Sequence, residues 1–115
     1  MKQILILCVL FLMSFMTKTE YNQTGKASYY ANKFNGRKTS SGEVFKQDLF
    51  TGAHKNLKFG TLVKVTNLSN DSTVIVKIND RLSQKSGSLI DLSLKAAQQL
   101  NFVRNGHAKV KVERL

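Results

Sequence analysis

The chain has 115 residues, with 18 basic against 7 acidic side chains and a formal charge of +11. That length excludes more than one domain, and a single cysteine, Cys8, excludes an internal disulfide or a thiolate metal cluster. The charge favours a polyanionic partner: nucleic acid, anionic lipid or a carboxylate-rich polymer.

The first recognisable element is at the N-terminus. Lys2 precedes a run of 13 apolar or small residues, ILILCVLFLMSFM at 4–16, and a polar exit follows. A short positive start, an apolar stretch and a polar boundary predict a secretory signal peptide over residues 1–19. The run is short of the roughly 20 residues of a membrane span, although an uncleaved anchor is the alternative. Cys8 lies inside the run and is expected to leave with it. Cleavage after Thr19 removes Lys2 and Lys18 and no acid, leaving 96 residues with a formal charge of +9. Export disfavours nucleic acid and makes the bacterial wall, with its peptide carboxylates, the natural polyanion. The expected location is the periplasm or cell envelope, with no stable membrane insertion after cleavage.

Residues 20–24 read as a short N-terminal segment and 25–115 as one domain. Strands are predicted where apolar residues alternate or run between turn residues: 26–30 (KASYY), 61–67 (TLVKVTN), 73–78 (TVIVKI) and 108–112 (AKVKV). Asn70-Asp71 predicts a tight hairpin turn. Residues 93–100 (SLKAAQQL) form the one convincing helix, with Ser93 as its cap and Ala96, Ala97 and Leu100 as its apolar face. The two halves are faintly alike. Ala53, Leu57, Phe59 and Gly60 lead into TLVKV, while Ala96, Leu100, Phe102 and Gly106 lead into HAKVKV. A real repeat would imply a closed barrel of two related halves, which removes exposed sheet edges.

Within this frame the carboxylates stand out. Asp80 and Asp91 are two of the seven acids, 11 residues apart, each straight after an apolar run. GKASYY, FNGRKTSSGEVF, TGAHKNLKFGTLVKVTNL, VIVKINDR and IDLSLKAAQQL follow one another in an order and spacing that resemble the rare lipoprotein A-like double-psi β-barrel domain. The resemblance covers residues 25–115. It implies a mainly all-β, six-stranded double-psi barrel with one or two short helices and a groove across it. It further implies peptidoglycan glycan strands as partner and lytic transglycosylase chemistry at the bond between N-acetylmuramic acid and N-acetylglucosamine. An expansin-like module that binds or loosens the wall without cleaving it is the alternative. Departures are NDRLS, with Leu82 and Ser83, where the family commonly reads NDRGP; Tyr29-Tyr30 in place of a Trp-Tyr pair; and Lys58 in place of proline.

Carried over by motif, the family's site residues fall on Glu43, His54, Asp80 and Asp91. Non-hydrolytic cleavage needs a carboxyl that first protonates the leaving oxygen and then, as carboxylate, assists attack by the sugar's own 6-hydroxyl. Such a group needs a raised pKa. Asp80, at a strand end, is expected to fill the role; an Asx turn is the plainer reading. Glu43 reads as a second carboxylate or as an exposed loop acid. His54 is expected within hydrogen-bond reach of one of them, or is a structural histidine. Arg81 either binds substrate and turns away from Asp80, or holds Asp80 ionised. Asp91 either favours the helix start or belongs to the site. Tyr29 and Tyr30 are expected to offer a sugar-stacking platform, with core packing as the other reading. No metal, cofactor or nucleic acid is expected, and a monomer is.

Overall fold

The structure, a computed structural model, describes residues 21–115. The expected signal segment lies outside the described residues. Among these residues no helix is long and apolar enough to cross a membrane.

Six strands close into a barrel: β1 (Asn22–Tyr29), β2 (Thr51–His54), β3 (Leu62–Asn67), β4 (Thr73–Arg81), β5 (Ile90–Leu92) and β6 (Ala108–Arg114). Around the barrel they run β1-β5-β2-β4-β3-β6. The pairs β1–β5 and β2–β4 are parallel, and the other four are antiparallel. This is the six-stranded double-psi barrel that the sequence motifs imply. A 3-10 turn (Asn32–Phe34) and one short helix, α1 (Leu94–Gln99), complete the regular structure.

Alternation explains most of it. Val63 and Val65 of β3, Val74, Val76 and Ile78 of β4, and Val110 and Val112 of β6 point inward and are buried. Their neighbours in sequence face outward, as a period of two requires. Ile90 and Leu92 of β5 join the same core, which α1 closes with Ala96, Ala97 and Leu100. Ser93 caps the helix, its hydroxyl accepting from the Ala96 N–H at 3.3 Å. The β3–β4 connection is the hairpin expected at Asn70-Asp71, with Asp71 at φ 61°.

The strands also depart from the sequence expectation, which named neither β2 nor β5. β1 begins at Asn22, so the barrel takes in residues 22–24 as well, because β1 pairs with β6 from Asn22 onward. β4 continues past Ile78 to Arg81, held by parallel pairing with β2. β2 itself, Thr51–His54, lacks any apolar alternation, and all four of its residues are buried. The two halves do share a feature: Gly60 and Gly106, at φ 91° and 83°, each precede an alternating strand, a conformation that glycine adopts without a steric penalty. Their alanines do not correspond, since Ala53 lies in β2 and Ala96 in α1.

Between the 3-10 turn and β2 the chain forms an arm over the outer face of the barrel. Lys38 and Val44 pair across it, and the Gly36 and Phe45 backbones bond at 2.8 Å. Phe45 anchors the arm. It is 1% exposed and stacks on Tyr30 with ring centroids 4.1 Å apart.

Candidate active site

The register of three strands builds the site. Asp91 of β5 lies beside Ala53 of β2, Ala53 lies beside Asp80 of β4, and Ser28 of β1 lies on the far side of Asp91. Laterally adjacent residues share a face, so Ser28, Asp91, Ala53 and Asp80 form one row on the outside of the barrel. Asp80 and Asp91 are two strand spacings apart, about 10 Å between backbones, with only a methyl group between them. A register shift between Gly52 and Ala53 admits Asn79 as an extra residue on β4. Such a bulge re-aims the side chains beyond it, and here it brings Asp80 into the row.

The two aspartates have opposite surroundings. Asp80 collects donors: the Tyr30 hydroxyl at 2.6 Å on Oδ2, and the backbone N–H of Ser40, at the tip of the arm, at 2.9 Å on Oδ1. Its own neighbour Arg81 gives a backbone N–H at 2.8 Å. Burial alone would raise the Asp80 pKa, but the donors from Tyr30, Ser40 and Arg81 together outweigh it and hold the carboxyl below its ordinary value. Asp80 is therefore an ionised group at neutral pH. This corrects the expectation that Asp80 has the raised pKa of a proton donor.

Asp91 has one donor, the Ser28 hydroxyl at 3.2 Å. Burial raises its pKa most, the Ser28 bond pulls the other way, and the Asp80 charge raises it further, leaving it at about 6. Of the two carboxyls, Asp91 is the one pushed upward. The plainer reading of Asp91, a charge favouring the helix start, does not describe its contacts, because α1 is capped by Ser93. The Ser28 hydroxyl also meets the Ser88 hydroxyl at 2.9 Å, which extends the row by one polar group.

Glu43 is on the same side of the barrel, beside the tip of the arm, where its carbonyl accepts the Thr39 N–H at 2.8 Å. It is exposed and paired with Lys77 of β4 at 2.7 Å. The Lys77 bond holds its pKa below the ordinary value. The like-charge coupling expected between Glu43 and Asp80 is found instead between Asp80 and Asp91.

Among the described residues His54 makes no direct hydrogen bond to any of these carboxylates, which matches its alternative reading as a structural histidine. It follows Ala53 in β2, so its side chain points to the opposite face, the one shared with Ile90. It is 1% exposed, and its Nδ1 accepts the backbone N–H groups of Asn56 and Leu57, both at 3.1 Å. Nε2 faces the Tyr21 hydroxyl at 2.9 Å and Gln23 Oε1 at 3.3 Å. Two donors at Nδ1 require a neutral ring protonated on Nε2. Burial, then the charges of Arg81 and Lys55, lower its pKa in the same sense.

Arg81 turns its guanidinium away from the Asp80 carboxylate, which is one of the two arrangements its position allowed. Nη1 donates to the carbonyls of His54 at 3.0 Å and Leu57 at 2.8 Å, and the group lies 4.5 Å over the Phe59 ring. The tyrosines form no open platform. Tyr29 packs on Phe102 and donates to the Val103 carbonyl at 2.9 Å. Tyr30 is sandwiched by Phe45 and Phe34 and serves the site through its hydroxyl, whose pKa is raised by burial and by the bond to Asp80. Sequence reasoning missed Ser28 and Ser40. Ser28 has a signal in hindsight, a polar residue in an aromatic alternating run; Ser40 acts through its backbone and has none. Among the described residues no group of three or more His, Cys, Asp or Glu side chains could hold a metal ion.

Comparison with known proteins accords with this geometry. A family model described as "Lytic transglycolase" matches residues 22–112. A protein of Neisseria meningitidis serogroup A, "Endolytic peptidoglycan transglycosylase RlpA", is 48% identical over 96 residues, covering 84% of this chain and 40% of that protein. The chain therefore spans about two-fifths of the length of that relative. Among solved structures, the Streptomyces papain inhibitor is similar with TM-score 0.67 at 20% identity, covering 83% of this chain and 94% of that one. The expansin of Clavibacter michiganensis is similar with TM-score 0.65 at 18% identity, over 83% of this chain and 50% of that one. At these identities the likeness is one of fold.

Proposed function

The chain belongs to the lytic transglycolase family of double-psi barrels, and from that premise we propose that it cleaves peptidoglycan glycan strands without water, leaving 1,6-anhydro ends. The observation that carries the reading is the Asp91–Ala53–Asp80 row: one carboxyl with its pKa at about 6 beside one held ionised. Pairs of titratable groups pushed apart by their surroundings mark an acid and its electrostatic partner.

In this reading Asp91 gives its proton to the glycosidic oxygen as the bond from the anomeric carbon breaks. Positive charge grows on that carbon, and ionised Asp80 stabilises it. Asp91, now a carboxylate, takes the proton of the same sugar's 6-hydroxyl as that oxygen attacks the anomeric carbon. The ring closes, Asp91 is protonated again, and no water is consumed. Tyr30 and Ser40 are positioning residues that keep Asp80 ionised and in place. Glu43, paired with Lys77 at the edge of the row, meets sugar hydroxyls. His54 and Arg81 act from behind, holding the turn after β2 that fixes Ala53 between the two acids. The Asp80 charge and the outward lysines work on different scales: the first on the reacting carbon, the second in gathering an anionic polymer.

All groups of the row come from one barrel, so the working unit is a single copy. A wall substrate places the protein in the cell envelope, consistent with the export segment expected at residues 1–19. The test is digestion of purified sacculi, and of glycan strands stripped of peptides, with mass analysis of the products. Anhydro-ended fragments from the wild type and none from Asp91→Asn support the reading. Hydrolytic, reducing ends would overturn the mechanism. Binding with no cleavage would favour the expansin-like module.

A further inference from the structure

One hollow on the barrel surface is lined by neither Asp80 nor Asp91. It is a recess of about 470 Å³ lined by Asn32, Asn35, Gly36, Lys46, Gln47 and Asp48, a volume in the range of small-ligand sites. We propose that this recess is a second sugar subsite, taking an N-acetylated hexosamine of the strand whose cleavage occurs at Asp91. The proposal rests on the glycan reading above.

The argument begins with Gln47, whose amide orientation is set by the backbone. Its Oε1 accepts the Leu94 N–H at 2.8 Å, so the other end is the NH2 group, which donates to the Tyr30 carbonyl at 2.8 Å. The same NH2 donates to Asn32 at 3.2 Å, which must therefore present Oδ1. Asn35 is fixed likewise, because its Oδ1 accepts the Gln47 backbone N–H at 2.9 Å. Each asparagine thus has its oxygen engaged and its NH2 group without a protein partner among the described residues. The Lys46 ammonium and the Asp48 carboxylate are also free of protein partners among the described residues and line the same recess.

The recess therefore offers two oriented amide donors, one ammonium and one carboxylate acceptor. A bare anion is disfavoured by Asp48, and an unacetylated sugar leaves the amide donors with hydroxyls alone. An acetamido sugar fits better: its carbonyl accepts from an asparagine NH2, and its amide N–H or hydroxyls donate to Asp48. The position is also apt. Tyr30 bridges the two sites, with its carbonyl on Gln47 and its hydroxyl on Asp80. One strand can then lie from the recess to the aspartate row.

The experiment uses the full chain and three probes: peptide-free glycan strands, N-acetylglucosamine oligomers and unacetylated glucose oligomers of equal length. Lys46→Ala/Asp48→Ala removes two ligand contacts and no internal bond. The double variant should bind glycan strands and N-acetylglucosamine oligomers about tenfold more weakly, as expected for two lost hydrogen bonds. Its KM should rise while kcat stays unchanged, and the side-chain amide signals of Asn32 and Asn35 should move when the acetylated oligomers are added to the wild type. Equal affinity of variant and wild type, or equal shifts with glucose oligomers, would overturn the subsite. Amide shifts from a protein that forms no anhydro ends would support the subsite and refute the catalytic reading instead.

Discussion

Tyr30→Phe removes one oxygen atom and leaves the stacked ring in place, so it isolates the hydroxyl's bond to Asp80. That bond is 2.6 Å long, within the short range of charge-assisted O–H···O contacts, and Tyr30 is 9% exposed, so water cannot easily replace it. A hydrogen bond to a charged group contributes about 1.5–3 kcal/mol, so its loss should raise the Asp80 pKa. Asp80 retains the Ser40 and Arg81 donors and stays ionised at neutral pH. Because its folded pKa is depressed, the stabilisation is present above the unfolded value near 4 and is lost as pH falls through the folded one. The variant should therefore be less stable by about 2 kcal/mol at pH 7. At a pH below the folded pKa of Asp80 the deficit should shrink to about 1 kcal/mol, that of a neutral bond. Urea unfolding at the two pH values measures this, and carboxyl NMR gives the Asp80 titration. An equal deficit at both pH values, with Asp80 titrating as before, would refute the account of how Asp80 is kept charged.

Other consequences are independent of that bond. Asp91→Asn should abolish turnover yet stabilise the fold by about 1–3 kcal/mol at pH 7.5, since a pKa raised to about 6 means that ionising Asp91 opposes folding; denaturant unfolding should show the gain shrink as pH falls toward the unfolded value near 4 and vanish below it, where both states carry the proton. His54→Gln should lower the unfolding midpoint, as Nδ1 can no longer accept the two N–H groups of the turn, while the folded variant keeps the Asp91 titration. Glu43→Gln should leave the midpoint unchanged, because its pair with Lys77 is exposed. Retention on sacculi should fall with added salt, screening acting over about 8 Å at physiological strength; salt-independent pull-down would contradict a charge-led association.

Much of the barrel was legible because it is built by alternation. Strands β3, β4 and β6 bury every second residue, and a period of two is visible without coordinates. β2 was not legible, since TGAH has neither alternation nor branched apolar residues and is a strand only because β4 and β5 flank it. The site was half legible. The motifs named Asp80 and Asp91, but the raised pKa expected at Asp80 falls on Asp91. That depends on the Tyr30 hydroxyl and the Ser40 backbone, which reach Asp80 through a tertiary fold of the arm. His54 falls on the structural side of its two readings for a simpler reason. One residue along a strand exchanges the outer face for the inner one, and the extent of β2 had to be known first. Tyr29 and Tyr30, adjacent in sequence, divide in the same way between the Phe102 core and the Phe45 arm.

The most direct test of the central claim, that Asp91 holds the transferable proton and Asp80 the fixed charge, is a site-resolved NMR titration of the two carboxyl groups. The wild type should show Asp91 titrating at about 6 and Asp80 below the ordinary aspartate value. Asp80→Asn should move Asp91 downward, because the like charge that disfavours its ionisation is gone. An Asp91 that titrates near 4, or one unmoved by Asp80→Asn while Asp80 itself titrates high, would contradict the account and return the acid role to Asp80.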